Sequence, residues 1–300
     1  MKLERILVPM DFSEAADRAF QQALVLARSG GVRILVLHSL PRFIPSPTPM
    51  GGAGLSSWMD MGPLLDNYNH QLREEAAGRL EELKGRIPKD VELETAIEDD
   101  LAPEAAILRR ANNWNADLIA MGTLGRSGLE KLLMGSVAAR VLHRSERNLL
   151  LLRSESVLFD PGAKPAPIVV PIDFSDHSQR ALALARFLSS RYGSPLHLLH
   201  MVELVRRPLT PGGLSSQLEE NPGLRERYLE ALRDMLGETG GEVTVADGSP
   251  AGGILWWREK LGAGLVVMGS RGHSGLERLL VGSVTESVAR FCEVPVVVVK

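Results

Sequence analysis

The sequence predicts an α/β chain of two tandem, doubly wound domains, each a five-stranded parallel sheet with helices on both faces. Three observations carry this. A stretch reading MGTLGRSGLEKLLMGSV (residues 121–137) returns as MGSRGHSGLERLLVGSV (residues 268–284), about half the chain length later. Short runs of Ile, Leu and Val without polar alternation, such as Ile6-Leu7-Val8, read as strands buried on both faces. Helical-period stretches separate those runs, and such alternation implies right-handed βαβ units around a parallel sheet.

The length of 300 residues suits about two domains. A formal charge of −3 supplies no general field for nucleic acid or an anionic membrane, so neither is an expected partner. No apolar run approaches the roughly 20 residues of a membrane helix, and the first apolar stretch stops at Asp11, too early for a secretory signal. One cysteine, Cys292, rules out an internal disulfide and fits a reducing, cytoplasmic setting.

Taken in order, ILVPMDFSEAADRA (residues 6–19) pairs with IVVPIDFSDHSQRA (residues 168–181) as first strand and helix start. Ser13 and Ser175 are placed as helix caps, with Glu14 and Asp176 in the first turn. After Ser13 an i, i+3/i+4 stripe runs through Ala16, Ala19, Phe20, Ala23, Leu24 and Ala27. ARSGG and RYGSP then read as helix ends and turns. The second strands put His38 opposite His200, both read as hydrogen-bonded structural residues. Residues 41–62 carry four prolines and read as a long loop, either a lid or partner-binding flap or a tolerated insertion. The strand of Met121 matches that of Met268, and NLLLLR (residues 148–153) matches PVVVVK (residues 295–300). Leu158 to Pro167 is rich in Pro and Gly, which sets domains at 1–155 and 167–300 with a linker at 156–166. Of the adjacent Trp256 and Trp257, one is expected at the surface, because neighbours on a helix cannot share a face.

The glycines follow a strand directly and repeat as Gly-x2-Gly-x9-Gly-Ser: Gly122, Gly125, Gly135, Ser136 and Gly269, Gly272, Gly282, Ser283. Glycine permits positive φ and close approach of a ligand, and amides at the following helix start suit a phosphate. Asp11 and Asp173 follow the first strands of their halves. If those strands neighbour the ones ending at Gly122 and Gly269, carboxylate and loop share the crevice where open α/β sheets bind ligands. There the carboxylate takes a ribose hydroxyl, helps to hold Mg2+, or merely caps the helix. The spacing is neither a Walker loop nor Gly-x-Gly-x-x-Gly. No His/Cys/Asp cluster has metal-site spacing.

With these motifs placed, nearly the whole chain resembles a universal stress protein with two tandem domains. The resemblance implies a Rossmann-like fold of the adenine nucleotide alpha-hydrolase-like kind, and the ATP-binding branch that keeps the three glycines. It further implies that Pro171, Asp173 and the main chain at Met201 border adenine and ribose, with Met268 as floor. Gly269, Arg271, Gly272, Gly282, Ser283 and Val284 then surround the phosphates and ribose. The first-half counterparts are Pro9, Asp11, Ser39 and Met121, followed by Gly122, Gly125, Gly135, Ser136 and Val137. ATP, or ADP or AMP, is the implied ligand, with Mg2+ beside Asp11 and Asp173. An intrachain pseudo-dimer through the last strands is implied, with a homodimer of chains as a further assembly.

The first half departs at Leu124, Leu101, Ala138-Ala139 and Asn148, where the second has Arg271, Gly248, Thr285-Glu286 and Pro295. The second departs at Gly264, opposite Asp117. The second site is therefore expected to bind ATP better. The leading function is regulatory nucleotide binding in stress response, without catalytic residues. Slow ATP hydrolysis or phosphotransfer, and a nucleotide-independent scaffold, are the alternatives.

Overall fold

The computed structural model describes residues 2–28, 30–41, 54–85, 87, 91–100, 102–123, 134–160, 162, 165–203, 205–206, 214–272 and 281–300. The sequence-derived positions Leu101, Leu124 and Gly125, and most of the 41–62 stretch, lie outside them. In the first half, strands β1 (Arg5–Pro9), β2 (Arg33–Pro41), β3 (Glu92–Asp100), β4 (Leu118–Gly122) and β5 (Asn148–Leu152) alternate with helices α1 (Glu14–Ala27), α2 (Gly54–Gly85), α3 (Pro103–Asn113) and α4 (Ser136–Arg144). Helix α2 corrects the loop expectation over its own span. Residues 54–62 are helical, because the prolines of this stretch all precede Gly54.

The second half repeats the scheme with β6 (Ile168–Pro171), β7 (Leu196–Val202), β10 (Gly241–Asp247), β11 (Leu265–Gly269) and β12 (Val296–Val299). Its helices are α5 (Asp176–Tyr192), α6 (Gln217–Glu220), α7 (Pro222–Leu236), α8 (Pro250–Lys260) and α9 (Ser283–Phe291). A small antiparallel ribbon, β8 (Val205–Arg206) with β9 (Leu214–Ser215), is added after β7.

All ten main strands form one sheet, in the order β10-β7-β6-β11-β12-β5-β4-β1-β2-β3. Pairing is parallel within each half, and β1 lies between β2 and β4, as β6 lies between β7 and β11. Connections leave these neighbours in opposite directions, so each half has a switch point. The halves join where β5 and β12 pair antiparallel, Val297 opposite Leu150. Leu149–Leu152 and Val296–Val299 are almost wholly buried, and each such side chain contributes roughly 1.5–3 kcal/mol relative to exposure.

The join is reinforced reciprocally. Lys300, just after β12, donates Nζ to the Leu142 carbonyl at 2.5 Å, near the end of α4. Arg153, just after β5, reaches the Phe291 carbonyl at the end of α9. Each cation thus meets the negative end of the other half's last helix.

The segment between the halves docks on α1. Buried Gln22 brackets Phe159, donating to its carbonyl at 3.0 Å and accepting from its N–H at 2.8 Å. Tyr192 donates to the Leu26 carbonyl, and its ring meets Phe159 edge-on. This docking explains Gly264. A Cβ there would come within 2.9 Å of Ala166 and 3.1 Å of Phe159. At the equivalent place in the first half, Asp117 accepts from the Glu4 and Arg5 amides at the start of β1.

Burial, then the nearby Arg271 charge, lowers the Lys300 ammonium from 10.5 to about 8 despite its bond to Leu142. The unfolded chain therefore binds more protons between those values, so stability rises with pH from about 8 to 10.5. In denaturant unfolding across that window, Lys300→Met should lack this part of the rise; an unchanged slope would contradict the assignment.

Candidate functional site

Each switch point opens into a cavity, of about 330 Å3 in the first half and about 340 Å3 in the second. Both reach the size of small-molecule sites. The first is lined by Pro9, Asp11, Ser39, Met121, Gly122, Gly135, Ser136 and Val137 among others. The second is lined by Pro171, Asp173, Met201, Met268, Gly269, Arg271, Gly272, Gly282, Ser283 and Val284. Every described residue assigned to a site from sequence therefore stands at one of the two cavities. Gly125 alone lies outside the described residues.

The aspartates arrive through a turn that the sequence did not reveal. Phe12 and Phe174, directly after them, adopt left-handed φ of 61° and 65°. That conformation costs a side-chain-bearing residue roughly 1–2 kcal/mol and needs support from its surroundings. Asp11 Oδ1 accepts from the Ser13 amide, and Asp173 Oδ1 from the amide and hydroxyl of Ser175. Each phenyl ring packs on the histidine of the next strand, with centroids 4.9 Å apart for Phe12–His38 and Phe174–His200. The imidazoles pair through Nδ1 with the Met10 and Ile172 carbonyls at 2.6 and 2.7 Å, which anchors the turn. Burial pushes the His200 pKa down, favouring the neutral ring. Ser13 and Ser175 then cap α1 and α5, accepting from Ala16 and Ser178.

The motif glycines serve differently from the expectation of positive φ. None of the described ones adopts it. A Cβ on Gly122 would lie 2.6 Å from the backbone of Ala15, and one on Gly269 lies 2.8 Å from that of His177. These glycines let the helix start press onto the strand end. Gly272 is bare for a third reason, since a Cβ would meet the Asp173 carboxylate at 2.5 Å. Gly135 and Gly282 are the N-caps of α4 and α9, and their amides bond back to the Thr123 and Ser270 carbonyls. The first intrahelical bonds are Ala139 to Gly135 and Glu286 to Gly282. The amides of Ser136–Ala138 and Ser283–Thr285 thus precede the helical ladder, at the positive ends of α4 and α9.

The halves differ at this end. Thr285 Oγ1 donates to the Gly269 carbonyl at 2.9 Å, pinning the first turn of α9 to β11; Ala138 makes no such bond. Arg271 lines the second cavity. His177, in the first turn of α5, contacts Ser270 through Nδ1; burial and then Arg180 and Arg271 lower its pKa. Among the described residues, no group of three His, Cys, Asp or Glu side chains is arranged to hold a metal by itself. No described helix is long and apolar enough to cross a membrane.

Comparison with known proteins agrees with this geometry. The model of the universal stress protein family matches residues 2–153 and 166–300. A universal stress protein of Mycobacterium bovis is 31% identical over 194 residues, and the match spans 62% of each chain, somewhat under two thirds of that relative. One from Mycobacterium tuberculosis is 26% identical over 309 residues, covering 98% of this chain and 96% of its own. A universal stress protein structure from Archaeoglobus fulgidus superposes with a TM-score of 0.66 at 26% identity, covering 100% and 99% of the two chains.

The strained turn makes a checkable inversion. At Phe12, both Ala and Gly lose the ring contact, but only Gly accepts φ of 61° freely. Phe12→Gly should therefore be more stable than Phe12→Ala by about 1 kcal/mol in urea unfolding. The usual order, Ala above Gly, would contradict the strain.

Proposed function

The chain belongs to the universal stress protein family, and from that premise we propose that it is a regulatory protein binding an adenine nucleotide, ATP foremost, in each half. One observation carries the reading. The same switch-point cavity occurs twice, and each has an aspartate on one wall and an exposed helix start on the other. The donor set fits the ligand. The amides at the starts of α4 and α9 face phosphate oxygens, and Ser136 and Ser283 add hydroxyls. Asp11 and Asp173 take ribose hydroxyls or steady the Mg2+ that accompanies the phosphates. Met121 and Met268 supply apolar contact for the base.

The second cavity binds more tightly in this proposal, because Thr285 fixes the helix start and Arg271 adds a cation. The proposal assigns no catalytic residue. The nucleotide acts as a signal held in the cytoplasm of a stressed cell, and partners respond to the loaded chain. A homodimer of chains has to use other surfaces than β5 and β12, whose edges already pair with each other.

Displacement of a fluorescent ATP analogue tests this. Positions 135 and 282 are helix caps at the cavity wall, and a Cβ on Gly282 meets nothing closer than 3.7 Å, leaving room for a substituent to enter the cavity. Gly135→Trp and Gly282→Trp should each remove one site, the second abolishing the tighter. Undiminished binding in both variants would overturn the proposal. ADP produced linearly above a chelated control would instead favour the hydrolytic alternative.

A further inference from the structure

A third cavity, of about 520 Å3, belongs to neither switch point and is larger than both. One wall belongs to α1, which contributes Glu14, Asp17 and Arg18; the other belongs to α2, with Arg79 and Glu82. This cavity adjoins the first nucleotide cavity at the strained turn. Asp11 lines the nucleotide cavity, and Phe12, the next residue, lines this one.

Its charges are held apart. Glu14 and Arg18 are four residues apart on α1, and Arg79 and Glu82 three apart on α2, spacings at which opposite charges on a helix commonly pair. Neither pair forms, because each arginine is committed elsewhere. Arg18 donates Nε to the Ser154 carbonyl at 3.3 Å, and the Arg79 guanidinium lies 3.9 Å above the Phe12 ring. A guanidinium stacked on a ring is fixed in orientation and keeps its N–H fork for a carboxylate. Gln21 donates to Asp17 Oδ2 at 2.6 Å and fixes that side chain in turn. None of the five charged groups has an ion-pair partner among the described residues. Asp17, Arg18 and Arg79 are half-buried, with Glu14 and Glu82 exposed at the rim.

The set is particular to the first half. Gln179 stands opposite Asp17, and Arg180, opposite Arg18, bonds to His177 Nδ1 at 2.9 Å. The Tyr228 ring, which carries no charge, stacks on Phe174 where Arg79 covers Phe12.

Two guanidiniums repel a bare metal ion, and three carboxylates repel a polyphosphate. A ligand that satisfies both signs carries both, and the excess of one negative charge in the lining favours one net positive charge on it. The volume suits a small molecule. We propose that this cavity is a separate ligand site for a free diamino carboxylic acid, of the lysine, ornithine or arginine kind. Arg18 and Arg79 take its carboxylate, and Asp17, with Glu14 and Glu82, takes its two cationic groups.

Calorimetry of the nucleotide-stripped chain at constant ionic strength tests this with L-lysine as the probe. One equivalent should bind per chain. Cadaverine, which lacks the carboxylate, 6-aminohexanoate, which lacks the α-ammonium, and L-glutamate, of opposite net charge, should each bind at least about tenfold more weakly. Arg79→Met keeps an apolar cover on Phe12 but loses the fork, and Asp17→Asn keeps the shape but loses the charge. Each should weaken L-lysine about tenfold. Gly135→Trp, aimed at the nucleotide cavity, should leave L-lysine within about twofold. No binding of L-lysine, equal binding of L-glutamate, undiminished binding in both charge variants, or loss in Gly135→Trp would overturn the proposal. None of these results bears on nucleotide binding, which stands or falls by its own displacement assay.

Discussion

The antiparallel pairing of β5 with β12 is the contact on which the rest of the architecture depends. Each half, taken alone, ends its sheet in a strand of leucines or valines with an unpaired row of amides and carbonyls. Such an edge is an invitation to uncontrolled association. Joining the two edges satisfies both rows and buries both apolar runs. Because the join is antiparallel, the strand ends that carry the cavities point in opposite directions. The last helix of each half begins at its own cavity and ends against the residue following the other half's last strand, Leu142 with Lys300 and Phe291 with Arg153.

Duplication has also freed the halves to diverge. Gly264 replaces the aspartate seen as Asp117 because the connecting segment folds back and fills the space with Phe159. Around Phe12 and Phe174 the support differs in kind. Tyr228 covers Phe174 and His200, whereas the guanidinium of Arg79 lies 3.9 Å above the Phe12 ring. The arginine pair Arg109-Arg110 is tied to Glu98 and Asp100 on β3. Its counterpart Trp256-Trp257 has one ring exposed and one partly buried, with Lys260 against both. Each substitution preserves the turn or the helix while changing the surface beside it.

Much of this was legible in the sequence. Repetition exposed the domains, period exposed strands and helices, and the glycine spacing located the cavities with Asp11 and Asp173. What stayed hidden depends on contacts between distant residues. Nothing in the letters distinguishes Gly122, which admits the backbone of α1, from a glycine that admits a ligand. A left-handed phenylalanine is invisible to propensity, since Phe is among the residues least suited to it. The matches of Gln22 with Phe159, and of Met201 with Gly253, where a Cβ would collide with the methionine side chain, are likewise tertiary. A pairing of large with absent side chains across two elements leaves a trace only when the two halves are laid side by side. The helix beginning at Gly54 escapes a composition-based reading, because the prolines before it dominate the composition of that stretch.

The central claim is that one fold, written twice, presents two working nucleotide cavities in one chain. Calorimetric titration of nucleotide-stripped protein with Mg·ATP tests it most directly through the stoichiometry. Two equivalents per chain, one bound more tightly than the other, is the predicted result. No heat, with no competition by a fluorescent analogue, would mean that the glycines serve helix–strand packing alone, and would contradict the account.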